Sequence, residues 1–140
     1  MPNQLETLRT QALALIDALE IVEPEYRALG LGAGFRRPAP AGAPGRSLIS
    51  GIRQGLDDLL TAASHLSGAQ LRALATELRT RHGIELDSLQ QRRLRRLAAI
   101  RERGHITSED QYYLVRSRVD EIEGLEVHTA ECKALQRMAD

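Results

Sequence analysis

Several residue types that often carry chemistry are scarce in this sequence. It has no tryptophan, one phenylalanine, one lysine and a single cysteine, Cys132. A lone cysteine cannot form an internal disulfide framework and is typical of a reducing compartment. The N-terminal stretch MPNQLETLRT lacks the basic and apolar regions of a secretory signal, and no apolar run approaches the roughly 20 residues of a membrane-spanning helix. The sequence therefore predicts a soluble, cytoplasmic protein without membrane association.

The charges of the whole chain cancel, with 19 basic and 19 acidic residues. This balance argues against a strong nonspecific binder of polyanions. Leucine, alanine, arginine, glutamate and glutamine are good helix formers, and β-branched runs of the kind that form strands are missing. The 140 residues are enough for one ordinary core. We therefore expect an all-α protein, a bundle of about five or six helices with antiparallel helical hairpins.

The N-terminal segment carries a narrow apolar seam. Its members alternate at spacings of three and four residues: Leu5, Leu8, Ala12, Leu15, Leu19 and Val22. This pattern predicts an amphipathic helix. Two uses of the seam are open. It packs in the core of its own domain, or it forms a short coiled coil within a dimer or against a partner.

A stretch rich in glycine and proline, GLGAGFRRPAPAGAPGR, occupies residues 30–46. Its first glycines suggest a phosphate-binding loop, but such loops follow a strand and open directly into a helix. This stretch follows a helix and runs into prolines, so we interpret it as a flexible linker. The sequence thus predicts an N-terminal helix in residues 1–29, a linker in 30–46 and a helical bundle domain in 47–140.

Turn residues mark helix boundaries beyond the linker. Ser67 and Gln70 have the spacing of a capping box, and Gly83 stands where a helix commonly ends in the left-handed conformation. Further along, the segment that begins at Thr107 is expected to open a helix that ends at Gly124. Gly51 and Gly55 lie four residues apart beside an apolar stripe. They weaken their helix but would allow another backbone to approach closely.

An arginine-rich segment, LQQRRLRRLAAIRERG, occupies residues 89–104. At 100° per residue, four arginines share the side opposite to the apolar stripe: Arg92, Arg95, Arg96 and Arg103. The remaining two, Arg93 and Arg101, fall within or beside the stripe. An arginine there needs an acidic partner or room to extend to solvent.

Opposite charges follow one another along the C-terminal part of the chain. Residues 87–104 hold six arginines against two acids, net +4, whereas residues 105–140 hold eight acids against four bases, net −4. A turn at residues 104–106 would bring three acids alongside the basic helix: Asp120, Glu121 and Glu123. Three interpretations are open: an internally neutralised hairpin, a face for an acidic protein partner, and nucleic-acid contact. Nucleic-acid contact is the least favoured of the three, because phosphate-binding surfaces commonly have lysines, surface aromatics or a net basic domain.

Residues 97–122, LAAIRERGHITSEDQYYLVRSRVDEI, combine an apolar helix ending at glycine, an Ile-Thr pair, an acidic pair and a second helix. This arrangement resembles the short helical hairpins of SHOCT-type bacterial modules. The matching positions are Leu97, Ile100, Gly104, Ile106, Thr107, Glu109 and Asp110. The aromatic residue comes one position late, at Tyr112, and Val115 stands where lysine is common. The resemblance implies an interaction or oligomerisation module without catalytic residues.

Catalytic and metal-binding signatures are weak. His128 and Cys132 have a spacing that could supply two metal ligands, but a structural zinc site takes four and no second pair exists. Nucleophilic catalysis by Cys132 would need a positioned base and an oxyanion site, and neither is indicated. The helix that follows residue 108 has an apolar stripe of Tyr112, Val115, Val119 and Ile122. Tyr113 and Leu114 fall outside this stripe, so they form either a contact patch or a second packing face. We predict no catalytic residue, no metal and no cofactor.

The sequence as a whole predicts a non-enzymatic protein-protein interaction module, such as a bacterial adaptor, regulatory or assembly subunit. The partner would be another protein or a second copy of the chain. The alternative is a nucleic-acid-binding helical protein that uses the basic face from Arg92 to Arg103. The candidate partner-binding residues are Leu5, Leu8, Leu15, Leu19, Arg92, Arg95, Arg96, Arg103 and Tyr113.

Overall fold

The computed structural model describes residues 3–36, 45–123 and 129–139. Within these ranges the chain forms seven α-helices and one 3-10 helix, and no strand, so the predicted all-α class is confirmed. In chain order the elements are α1 (Gln4–Val22), the 3-10 helix (Pro24–Leu29), α2 (Leu31–Arg36), α3 (Gly45–Ser64), α4 (Gly68–His82), α5 (Leu86–Arg103), α6 (Glu109–Ile122) and α7 (Thr129–Ala139).

The predicted linker is partly helical. Residues 31–36 form α2, and the two residues at 45 and 46 already belong to α3. Gly30 separates the 3-10 helix from α2 by adopting the left-handed conformation, with φ +59°. Residues 37–44, which contain the three prolines of the stretch, lie outside the described residues. The helices therefore outnumber the predicted five or six, because residues 24–36 form two short helices.

The chain folds as two compact units, Met1–Ser88 and Leu89–Asp140. The boundary falls inside α5. This division differs from the predicted one, which separated residues 1–29 from a domain of residues 47–140. The physical reason is the position of α1, which packs against α3 and α4 and so belongs to the same unit as they do.

The first unit is built around α1, which packs against the 3-10 helix, α2, α3 and α4. Asn3 caps its N-terminus by accepting a hydrogen bond from the Glu6 amide at 2.8 Å, as short polar residues commonly do. Ile16, which the spacing predicts to broaden the seam, is buried, and the buried surface of α1 is wider still because it also includes Ala14 and Ala18. The other buried apolar residues of α3 and α4 are Leu56, Leu59, Leu60, Ala63, Leu74 and Leu78.

The ends of α4 follow the predicted turn chemistry. Ser67 and Gln70 form the complete capping box, with the Ser67 hydroxyl accepting from the Gln70 amide and the Gln70 side chain accepting from the Ser67 amide. At the other end Gly83 has φ +65° and donates its amide to the Arg79 carbonyl. Both predictions are confirmed.

Phe35 of α2 lies against Gly55 of α3. A Cβ added at Gly55 would lie 2.6 Å from Cζ of Phe35, whereas a Cβ at Gly51 would meet no heavy atom of the described residues within 4 Å. A close approach therefore occurs at Gly55 and not at Gly51, and the group that approaches is the Phe35 side chain where the sequence predicted a backbone.

These two glycines give a matched pair of variants. We expect Gly51→Ala to raise the free energy of unfolding by about 1 kcal/mol, because alanine favours the helix. Gly55→Ala should be about 1–3 kcal/mol less stable than Gly51→Ala, because the Phe35 ring has to move. Urea unfolding followed by circular dichroism measures both. Equal stabilities would contradict the contact, and in a Phe35→Ala background the difference between the two variants should largely disappear.

The second unit has its core between α5, α6 and α7. Its buried members are Leu97, Ile100, Leu114, Val115, Val119, Ile122, Cys132 and Leu135. Between α5 and α6, Gly104 has φ +80°, a conformation that glycine adopts without a steric penalty. Ser108 caps α6 by accepting from the Gln111 amide at 3.2 Å, one residue later than the predicted cap at Thr107. The predicted end of this helix at Gly124 lies outside the described residues.

Candidate protein-interaction surface

One side of α5 packs into the core and the other carries exposed arginines. Leu89, Leu97 and Ile100 are buried, as the apolar stripe predicts. Arg92, Arg95 and Arg103 are exposed on the far side. We call these three arginines, with exposed Ala99 between them, the basic strip. Its span of about 11 residues corresponds to about 16 Å of helix.

The arginines of the basic strip have no carboxylate partner among the described residues. The Nε of Arg95 donates only to the Gln91 carbonyl of its own helix, at 3.4 Å. The fourth arginine predicted on this side, Arg96, is half-buried and lies at the edge of the strip. The strip is thus a row of three solvated guanidinium groups on one rigid helix.

A different arginine of α5, Arg93, is fully buried and anchors a chain of ion pairs. Its Nη1 donates to Oε2 of Glu121 at 2.6 Å, with Arg93 0% and Glu121 11% exposed. The other carboxylate oxygen of Glu121 accepts from Nη1 of Arg118 at 2.5 Å. Arg118 in turn donates from Nε and Nη2 to the two oxygens of Glu131, at 3.0 and 3.2 Å. The chain therefore joins α5, α6 and α7.

The ion-pair chain favours the charged form of Arg118. Burial alone lowers the pKa of Arg118, but the hydrogen bonds and charges of Glu131 and Glu121 outweigh burial and raise that pKa above its ordinary value. The two-pronged contact with Glu131 is the geometry in which a guanidinium binds a carboxylate most strongly. Because the pairs are buried, salt screens them much less than it screens surface pairs.

Of the three acids predicted alongside the basic helix, only one pairs with an arginine of that helix. Glu121, one of the three acids predicted opposite the basic helix, pairs with the buried Arg93. Asp120 instead pairs within its own helix with Arg116, at 3.2 Å, and Glu123 is exposed. Glu121 and Glu131 thus pair with the buried Arg93 and Arg118, and the basic strip stays solvated. Arg101, predicted beside the apolar stripe, is exposed.

An open groove of about 360 Å³ lies between α5 and α7. Its lining is Ala98, Arg101, Glu102, Ala134 and Met138. The two alanines face the groove from different helices, and their short side chains leave the space unfilled. Sequence reasoning missed this groove, because the spacing within each helix does not show which alanines of two separate helices come together.

The tyrosines of α6 lie at the surface. Tyr112, predicted in the core stripe, is 40% exposed, and Tyr113 is 39% exposed. Their rings meet edge to face with centroids 5.6 Å apart. The charge of Glu109 and its hydrogen bond to the hydroxyl raise the pKa of Tyr113. Leu114, which the stripe left out, is buried, so of the pair Tyr113 and Leu114 only the tyrosine is available for contact.

The leucine seam of α1 is used inside the first unit. Leu8, Leu15 and Leu19 are buried, Leu15 and Leu19 completely, and Leu5 near the start of the helix is half-buried. Of the two uses that the sequence left open, packing in the chain's own core is the one observed. Leu8, Leu15 and Leu19 are therefore covered by the chain's own helices, whereas Leu5 is covered only in part.

Other sequence features bring no further site together. Cys132 is a free thiol, 8% exposed in the core, and His128 lies outside the described residues. Within the described ranges no three histidine, cysteine, aspartate or glutamate side chains are grouped as metal ligands would be. No helix there has the length and apolar character to cross a membrane.

Comparison of the chain with protein-family models, with curated proteins and with solved structures gave no match. The likeness of residues 97–122 to SHOCT-type hairpins therefore depends on the residues quoted for it.

Proposed function

We propose that the protein is a non-enzymatic interaction module whose basic strip binds an acidic surface on a partner protein. It would act as an adaptor, a regulatory subunit or an assembly subunit, in a reducing compartment such as the cytoplasm. The observation that carries the proposal is the solvated state of Arg92, Arg95 and Arg103 on the same helix as Arg93, which takes part in a buried chain of ion pairs.

A binding role for the strip is favoured because Glu121 and Glu131 pair with Arg93 and Arg118 and not with the arginines of the strip. Exposed ion pairs contribute little to stability, about 0.2–1 kcal/mol each, so leaving three arginines solvated costs the fold little. A partner that brings acids to all three gains electrostatic steering and a fixed register. Arginine also suits carboxylate recognition, since its planar group can bind both oxygens at once.

An acidic protein partner suits the chain better than a nucleic acid. The strip holds three cations on one helix, and the chain as a whole has a net charge of zero. A nucleic-acid surface commonly combines a net basic domain with aromatic side chains that stack on bases. The exposed tyrosines belong to α6, where their neighbours Glu109 and Asp110 would repel phosphates.

The test reverses the charge of the strip. The full chain with Arg92→Glu, Arg95→Glu and Arg103→Glu is compared with a control variant of equal charge change in the first unit, Arg27→Glu, Arg72→Glu and Arg79→Glu. Each protein is used to enrich partners from an extract of the source organism, and the enriched protein is purified for a direct affinity measurement. We expect the wild-type chain and the control to bind it, and the strip variant to lose at least about tenfold in affinity.

Binding of a duplex DNA probe at low salt tests the alternative function, nucleic-acid binding. DNA binding that is lost in the strip variant and falls steeply with salt would overturn the proposal in favour of nucleic acid. Equal binding of the purified partner by the strip variant and the control would also overturn it.

A further inference from the structure

We propose that the groove between α5 and α7 receives an apolar side chain from an acidic amphipathic helix, whose carboxylates pair with the arginines beside it. This inference rests on the proposed function and specifies the partner as a helix that carries both charge and an apolar anchor. The observation that supports this inference is that the groove and the basic strip are adjacent on α5.

Helix geometry makes them neighbours. Residues three and four apart are adjacent on a helix surface, and Ala98 of the groove lies three residues after Arg95 of the strip. Glu102, at the groove, lies three residues after Ala99 of the strip. A ligand helix that covers Arg95 therefore also reaches the groove.

The shape of the groove suits an inserted side chain. Two helices with alanines on their facing sides leave a furrow into which the ridge of a third helix fits, and an amphipathic helix in a groove is a recurring mode of recognition. Met138 lines the furrow, and methionine adapts to different apolar partners because its side chain is unbranched and flexible. Buried anchors of this type commonly supply most of the affinity of an interface.

The charge around the groove selects an acidic ligand. Arg101 lines the groove on α5, and Arg95 lies one turn before the lining residue Ala98. On α7, Lys133 and Arg137 are exposed and adjacent in sequence to the lining residues Ala134 and Met138. Glu102 is the one acid among the lining residues of the described chain. A basic or neutral helix would gain no comparable electrostatic attraction.

The experiment uses synthetic peptides and the full chain. The first peptide is a helix of about five turns with glutamates on one face and leucines on the other. The second replaces its leucines by alanine, and the third keeps the composition but scatters the leucines around the helix. Fluorescence anisotropy at moderate salt measures the affinity of each. We expect the first peptide to bind about tenfold or more tightly than the other two, because one buried leucine contributes on that scale.

Ala98→Leu then fills the groove from an exposed position, and Ala73→Leu on exposed α4 surface is the control. We expect Ala98→Leu to abolish the advantage of the first peptide, and Ala73→Leu to preserve it, with both variants folded by circular dichroism. Equal affinity of all three peptides, or an unchanged advantage in Ala98→Leu, would overturn the groove inference. Because these outcomes leave the charge-reversal test of the strip unaffected, they are distinct from failure of the proposed function.

Discussion

Replacing Glu121 by alanine should lower the free energy of unfolding by about 3–5 kcal/mol, because it removes the carboxylate that pairs with the fully buried Arg93 and also with Arg118. Glu121 accepts one hydrogen bond from Arg93 and one from Arg118. Arg93 is completely buried, so water cannot replace the lost partner without opening the core. Among the ion pairs of the described residues, this one should therefore have the largest effect on stability.

The neighbouring Asp120 provides the control. Its pair with Arg116 spans one helical turn, with the Arg116 side chain 43% and the Asp120 side chain 60% exposed, so Asp120→Ala should cost only about 0.3–0.5 kcal/mol. Urea unfolding of both variants at low and high salt measures the difference. The effect of Glu121→Ala should persist at high salt, because buried pairs are poorly screened. A loss of less than about 1 kcal/mol for Glu121→Ala would show that the ion-pair chain behaves like a surface pair.

Replacing Leu15 by alanine should lower the free energy of unfolding by about 2–5 kcal/mol through loss of buried apolar surface and creation of a cavity. Leu15 is fully buried in α1. Leu5, on the same seam but half-buried, is the control, and Leu5→Ala should cost clearly less. Thermal or urea unfolding of the full chain measures both effects.

The concentration dependence of the same experiment tests where the seam packs. A seam buried within one chain gives an unfolding midpoint that does not change with protein concentration. A seam that forms a dimeric coiled coil links unfolding to dissociation, so the midpoint rises with concentration. We expect no concentration dependence for the wild-type chain or for Leu15→Ala. A midpoint that rises steadily as the protein concentration is increased would contradict the intramolecular packing.

The arginine segment shows how far a helical pattern can be extrapolated. The rotation of 100° per residue placed Arg92, Arg95 and Arg103 on the exposed side and Arg93 in the seam, and the structure agrees in each case. The need of Arg93 for an acidic partner was also predictable, because a buried unpaired guanidinium is very unfavourable. The pattern did not predict that Arg118 would share the same carboxylate, since this depends on how three helices meet.

Residues at the edges of a stripe were predicted less well. Tyr112 was expected in the core stripe and is exposed. For Leu114, outside that stripe, a contact patch and a second packing face were both open, and the structure shows it buried. A periodicity analysis assigns one buried face to each helix. Because α6 contributes to a core shared with both α5 and α7, its buried face is wider and rotated, and only the positions of the neighbouring helices determine by how much.

The sequence by itself determined the all-α class, the ends of α4, the glycine turn after α5, the exposed positions of Arg92, Arg95 and Arg103, and the seam position of Arg93. These features depend on interactions within a few residues of the chain: hydrogen bonds at caps, left-handed glycines and the helical period of about 3.6 residues. Only the tertiary structure decided that the α1 leucines pack inside their own unit, that Phe35 lies on Gly55, and that Ala98 and Ala134 leave a groove beside the basic strip. Each of these depends on contacts between helices that are distant in sequence, and the period within one helix carries no information about which surface of another helix it meets.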